Sequence, residues 1–353
     1  MKRLFFLVII VIFLVYIAPI GFQYYQKGAE KEEKIHSVQN VENILDSQAS
    51  DGESAEKTNN TAEKEENKQD TTETIAVSVN GTVKEMTLEQ YAAGTVAAEI
   101  PASFPEEALK AQAVAARTFA MYKKSLGTDE KHPDAVVCDD YTHCAAFVDL
   151  DTQAKDLWGN KAKEWREKVE DAANATAGEI ITYNGSPIVA VFHSASAQET
   201  ESAVSVWGSD IPYLVAVEST GDDACPEYDA SVTLGAEEFR QIMLAKYPDI
   251  NLTGLPKTWF TDIESSEAGG VTACKIGGEQ LKGTEVRELF KLNSTHFTIS
   301  TTDTSITFHT QGYGHGVGMS QYGAKSMAEN GSSYEEILLH YYTGTKVEKL
   351  GEK

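Results

Sequence analysis

Four stretches of the 353-residue chain hold side chains able to do chemistry. The first is TVAAEIPASFPEEALKAQAVAARTFA, residues 95–120, with the carboxylate of Glu99 just ahead of a proline-punctuated turn. Leu88, Ala92, Thr95 and Glu99 fall at helical spacing, so inward-facing Leu88 and Ala92 carry Glu99 inward with them. Low dielectric and a negative helix end both disfavour an ionised carboxylate, so the pKa of Glu99 is expected to rise. A carboxyl still protonated near neutral pH suits a general acid. The plain alternative is an exposed glutamate at a fraying helix end.

The second stretch, KHPDAVVCDDYTHCAAF, places His132, Cys138, His143 and Cys144 within thirteen residues. Thiolate and imidazole together suit zinc, although the spacing matches no common zinc finger. Neighbours in an extended segment point oppositely. His132, Cys138 and Cys144 are therefore the expected ligands, leaving an open position, with His143 as substitute or fourth ligand. A Cys138–Cys144 disulfide is the alternative outside the cytoplasm. In the third stretch, VFHSASAQETESAVSVWG, the polar groups of His193, Ser194, Ser196, Thr200 and Glu201 crowd in directly after an apolar strand, Ile188–Phe192. Adjacent Ser and His raise a hydrolase triad, but no G-x-S-x-G elbow is present, and triads are defined by geometry. The fourth stretch alternates Gly312, Gly314, Gly316 and Gly318 around His315. Such glycine density permits close backbone approach to a ligand or to another strand. No Gly-Lys-Ser/Thr follows, so it is not a phosphate loop.

The elements that must position these groups are legible in outline. IAVSVNGTV reads as a hairpin about Asn80-Gly81. Thr87 and Gln90 form a capping box that opens a helix at Leu88. A second helix starts at Pro105 and buries Ala108, Ala111, Ala115 and Phe119. Arg117 sits mid-helix among small residues and reads as a buried structural cation that pairs an acid or helix-end carbonyls. An amphipathic helix ends near Gly178. Two strands follow about Asn184-Gly185. GAEEFRQIMLAKY and GTEVRELFKL are helices, and TWFTDIESSE and FTISTTDTSITFH are strands. Helices over Ser320–Asn330 and Ser333–Tyr341 close the chain. The mixture predicts an α+β fold of mixed helices and hairpin-rich sheets forming a substrate cleft.

Three segments are expected: 1–27, a cytoplasmic tip and transmembrane anchor; 28–74, a disordered acidic tether; and 75–353, the catalytic domain. Leu4–Ile20 is an uncharged apolar run just long enough to cross a bilayer, with Lys2 and Arg3 favouring a cytoplasmic N-terminus. The tether lacks the apolar residues needed to offset ordering entropy. It holds thirteen acids and five lysines, 5 − 13 = −8 of the net −24. The acidic remainder argues against a nucleic-acid surface. Four cysteines make no disulfide scaffold, and a pairing of Cys225 with Cys274 stays open.

Taken together, the Glu99 stretch, the C-x₄-HC segment, FHSASAQETES with VWG and PYL, and GYGHGVGMSQYGAKSMAENGSSYEEILLHYYTGT resemble the SpoIID-type lytic transglycosylases of sporulation. The resemblance spans roughly residues 75–348. It implies cleavage of peptidoglycan glycan strands during forespore engulfment, with the catalytic domain outside the cytoplasm, on the mother-cell side of the septum. It implies a peptide-removing amidase or endopeptidase and a membrane protein as partners, zinc as a structural or cleft-forming ion, and no nucleic acid. It puts the catalytic acid on Glu99. Arg117, His193, Ser194, Ser196, Thr200, His315 and Gln321 fall on the family's polar positions, around the substrate. Ala195 and Ala197-Gln198 depart from the serine and glycine common in relatives. One carboxylate suffices for a transglycosylase, whereas a glycoside hydrolase needs two. Two rivals remain: a zinc-dependent cell-wall hydrolase with Glu99 as its base, and a non-catalytic glycan-binding stimulator of an amidase.

Overall fold

Asn80 and Gly81, both at positive φ (49° and 73°), turn the chain between β1 (Thr74–Val79) and β2 (Thr82–Thr87), as a two-residue hairpin loop requires. The computed structural model describes residues 73–351 other than Thr128. The anchor expected over 1–27 and nearly all of the tether expected over 28–74 lie outside the described residues. Among the described residues no helix is long and apolar enough to cross a membrane.

The capping box forms as expected. Thr87 Oγ1 accepts from the Gln90 amide at 3.1 Å, and the Gln90 side chain accepts from the Thr87 amide at 2.9 Å, opening α1 (Leu88–Glu99). Pro105 precedes α2 (Glu106–Leu126), whose acids lie in the first turn and whose Lys123 and Lys124 lie in the last, both favourable to the helix dipole. Its alanine stripe is fully buried and lets α1 approach closely. β3 (Val137–Cys138) lies parallel to β1. α3 (Leu150–Trp158) and α4 (Ala162–Ala175) complete a helical core with α1 and α2. β4 (Glu179–Tyr183) turns at Asn184-Gly185 into β5, which is only Ser186–Pro187. A longer second strand was expected here. Pro187 has no ladder N–H, and Ile188–Val191 instead run buried through the core to β6 (Phe192–His193). A short α5 (Ala203–Trp207) follows.

Residues 229–311 build a second lobe. It contains β7 (Asp229–Gly235), α6 (Ala236–Lys246), β8 (Phe260–Ser265), β9 (Val271–Ile276), β10 (Glu279–Lys282), α7 (Gly283–Phe290), β11 (Phe297–Thr301) and β12 (Ser305–Gln311). Its core is its own: Phe239 stacks on Phe290 at 4.8 Å, Phe290 on Phe308 at 5.0 Å, and Trp259 packs beside them. β7 and β12 pair from Asp229↔Gln311 to Ser305↔Gly235, so the lobe is entered and left side by side. The chain then returns through β13 (Met319–Ser320), parallel to β6, to α8 (Gln321–Glu329), α9 (Tyr334–Tyr341) and β14 (Lys346–Lys349), which pairs with β4. Among the described residues, antiparallel pairs dominate, in agreement with the expected α+β mixture.

Candidate active site and metal centre

Glu99 is the last residue of α1 and is half-buried. The Ala146 amide donates to its Oε1 at 2.8 Å, and the Gln321 side-chain amide lies 3.5 Å from its Oε2. Three separate elements therefore converge on one carboxyl: the end of α1, the segment after Cys144 and the first residue of α8.

The expected metal cluster forms with one correction. Cys138, Cys144, His132 and His143 offer ligand atoms that all lie within 4.8 Å of one another. His143 was expected to point away from Cys144, as in an extended segment. Residues 141–144 instead make a turn, anchored by Asp140, so both side chains face the same centre. His132 Nδ1 lies 3.0 Å from the Ala135 carbonyl, leaving Nε2 toward Cys144 Sγ at 3.4 Å. His143 Nε2 lies 3.1 Å from Asp129, leaving Nδ1 toward Cys138 Sγ at 3.5 Å. Each ring thus sets one nitrogen on an oxygen and turns the other toward the sulfurs, the arrangement that orients histidines for a metal. The Cys144 thiol, by hydrogen bonding, holds Cys138 down to about 5, and the same bond pushes Cys144 up. Burial resists ionisation of Asp129, yet Lys123 and its other donors hold it at about 2. The sulfurs are unbridged thiols. This donor set fits zinc in a closed four-ligand site and leaves no open position.

The glycines settle on one of the two expectations. Gly312, Gly314, Gly316 and Gly318 all have positive φ, and a Cβ on each would crowd the segment 191–201, which runs through β6 and the loop after it. At Gly318 it would lie 2.2 Å from the Val191 carbonyl oxygen. The run is there to meet another strand. In doing so it brings His315 against His193, with ring centroids 5.5 Å apart. His193 Nδ1 lies 3.2 Å from the Val317 carbonyl, and its Nε2 lies 2.7 Å from Ser196 Oγ. Both histidines are buried. Burial pushes His193 down to about 3 and His315 well below its usual range. A carbonyl in place of a carboxylate behind His193, and a buried Ser196, give no hydrolase triad.

The remaining positions divide. Gln321 reaches Glu99, and the Ser194 carbonyl accepts from the Tyr322 amide at 3.0 Å, setting the start of α8. His193, Ser196 and His315 stand behind this layer. Thr200 is fully buried and caps local backbone, accepting from the Val217 amide at 2.9 Å. Arg117 is 0% exposed. Its guanidinium pairs with Glu89 and donates to the carbonyls of Glu179 and Ala173, each at 3.0 Å. A side chain so enclosed cannot touch a substrate. The placement of Arg117 around the substrate is corrected to a structural one, as its mid-helix setting among small residues foretold.

Comparison with known proteins shows the family. Residues 77–183 match the family model SpoIID, described as stage II sporulation protein. Stage II sporulation protein D of Bacillus subtilis (strain 168) is 39% identical over 76% of this chain and 77% of its own length. The chain belongs to the SpoIID family. Stage II sporulation protein D of Bacillus amyloliquefaciens is 38% identical over 76% of each chain. The amidase enhancer of Bacillus subtilis (strain 168) is 29% identical over 71% of this chain and 39% of its own length.

One carboxylate of this SpoIID chain, Asp222, was not singled out from the sequence, and Glu201, which was, has partners that the sequence did not show. Asp222, 2% exposed, accepts from Ser219 and Ser320 hydroxyls and from the backbone amides of Ser196 and Gly323. Burial raises its pKa and these donors pull it back. It ties the Ser194–Ser196 loop to the start of α8. Glu201, 1% exposed, accepts from Ser205 (2.8 Å) and, across the lobe boundary, from Ser266 (2.9 Å), the Gly270 amide (3.0 Å) and His296 (2.8 Å). A lone acid in a polar run carries no sign of such distant partners. Gln198, a departure from the family pattern, has φ 80°, a conformation that suits glycine.

Proposed function

We propose that this protein is a peptidoglycan lytic transglycosylase of sporulation, cleaving between N-acetylmuramic acid and N-acetylglucosamine on strands freed of peptides. The carrying observation is the single carboxyl of Glu99, held at a helix end between two amide donors from different elements. Four other buried or half-buried carboxylates have settled duties: Glu89 on Arg117, Asp149 on Lys84 and the start of α3, Asp222 in its serine hub and Glu201 on His296. A reaction that runs on one acid fits this supply better than a two-carboxylate hydrolysis.

In the proposed reaction protonated Glu99 gives its proton to the glycosidic oxygen as the bond to muramic C1 breaks. The C6 hydroxyl of the same sugar attacks C1, and Glu99 takes that hydroxyl's proton. The carboxyl ends as it began, a 1,6-anhydro end forms, and no water is consumed. Gln321, within reach of Oε2, would hold the carboxylate in line between the two transfers. Zinc on His132, Cys138, His143 and Cys144 would supply a structural cross-link. Those residues fix the segment that ends at Ala146, two residues beyond Cys144, and so place the amide on Glu99. A closed donor set disfavours the rival zinc hydrolase.

The names of the relatives support a role in sporulation and an association with an amidase. The similarity to an amidase enhancer favours a second reading, in which the chain stimulates a partner without cutting glycan. The expected anchor would tether the domain to the membrane, outside the cytoplasm. Digestion of peptide-free strands by the full-length protein in ¹⁸O-labelled water separates the readings. Transglycosylation yields anhydro ends without label, hydrolysis yields labelled reducing ends, and the stimulator yields neither.

A further inference from the structure

A cleft of about 700 Å³ lies where the second lobe meets Ala197 and Gln198 of the first. The Glu99 chemistry uses none of its walls. One wall is the outer face of the β11-β12-β7 sheet. Along β7 and β12 the side chains alternate, Val232, Leu234, Ile306 and Phe308 packing into the second core while Ser231 and His309 face outward. His296 and Gln198 complete the walls, with Asp229 and Gln311 at the strand ends.

The lining is fixed and almost uncharged. His309 is held from both neighbouring strands, by Ser231 at 2.9 Å and Ser300 at 2.9 Å. His296 is held by Glu201 at 2.8 Å. Gln198 keeps its left-handed conformation while its carbonyl accepts from the Ser219 amide at 2.7 Å, and non-glycine residues held in this way cluster at functional sites. Neither lysine nor arginine lines the cleft, and its one carboxylate, Asp229, already accepts from Gln311 at 3.2 Å. Phosphate would find no cation there. A stem peptide would find no partner for its carboxylates and no sheet edge to extend, because the cleft is lined by a sheet face. Side-chain amides, hydroxyls and imidazoles that both donate and accept suit a neutral polyol carrying acetamido groups. The volume falls within the range of small-ligand sites, roughly 300–1,000 Å³.

A chain of contacts through a single loop links the cleft to the Glu99 site. Gly312, next after Gln311, packs on the backbone of Ala195–Ala197, and the Ser194 carbonyl holds the start of α8, whose Gln321 reaches Glu99. We propose that this cleft is a second glycan-binding site, holding the uncharged N-acetylglucosamine units of the same strand at a distance from the bond that is cut, with the lactyl carboxylates of the muramic units left in water. The ligand class rests on the reading of Glu99 as a glycan-cleaving acid.

The test titrates the full-length protein with a peptide-free, neutral oligomer of N-acetylglucosamine, following affinity and the resonances of His296 and His309. Ser231→Trp, which fills the cleft from an exposed strand position, is expected to weaken binding at least tenfold, and Gln311→Ala several-fold. Glu99→Gln should leave binding at the cleft unchanged. On long strands the cleft variants should raise KM and spare kcat. Unchanged affinity and KM in folded Ser231→Trp and Gln311→Ala would overturn the site, as would oligomer binding that leaves both histidine resonances in place. Binding at the cleft by a wild type that makes no anhydro ends would instead remove the catalytic reading and leave the site standing.

Discussion

At the scale of single residues, the chemistry rests on where one carboxyl ends up. Helical spacing from Leu88 placed Glu99 on the inner side of α1, and the structure puts amides from two distant segments on it. Those donors were not legible, because Ala146 and Gln321 lie 47 and 222 residues away. Gln321→Ala is expected to cut kcat by about tenfold, the loss of one long hydrogen bond to the carboxylate of roughly 1.5 kcal/mol, with Tm nearly unchanged. Steady-state kinetics beside a melt checks this. The buried histidines make a separate expectation. His193 and His315 stay neutral in the fold far below the usual histidine range, near 6.5, at which they take protons in the unfolded chain. Their contribution is therefore complete above about pH 6.5. It is lost as pH falls toward 3, at up to about 1.4 kcal/mol per pH unit for each proton. Melts between pH 7 and pH 5 should show this slope, and His193→Asn should lessen it.

At the scale of elements, local signals were read well and partnerships poorly. The capping box, the Asn-Gly hairpins and the alanine helix all lie where residue chemistry puts them. The glycine run left open whether it met a ligand or a strand, since glycine permits both. Backbone approach at Gly318 shows the strand. Gly318→Ala would combine a positive φ with a clash on the Val191 carbonyl, costing about 2–5 kcal/mol. A denaturant midpoint measured against wild type tests it. His143 was misplaced because alternation was assumed for a segment that Asp140 bends into a turn. With four ligands in place, chelation should loosen Cys138–Ala146. Hydrogen exchange at the Ala146 amide should speed up as zinc is withdrawn and recover when it is restored.

At the scale of the whole molecule, the second lobe has a hydrophobic core of its own, and the sheet that closes it also walls the proposed sugar cleft. The α+β class could be read from the mixture of periodicities. The division into lobes could not, because the partners of β7, β9 and β10 are known only after folding. Glu201 links the lobes through Ser266, Gly270 and His296. In Glu201→Ala the second lobe should melt ahead of the first, splitting one calorimetric transition into two. The glycan reaction is tested most directly by mass spectrometry of peptide-free strands incubated with wild type and with Glu99→Gln. The wild type should release 1,6-anhydromuramic ends, and the folded, zinc-loaded amide variant should do so at least 10²-fold more slowly. Equal release by both proteins, or strands cut only to reducing ends, would contradict the assignment of Glu99 as acid and base.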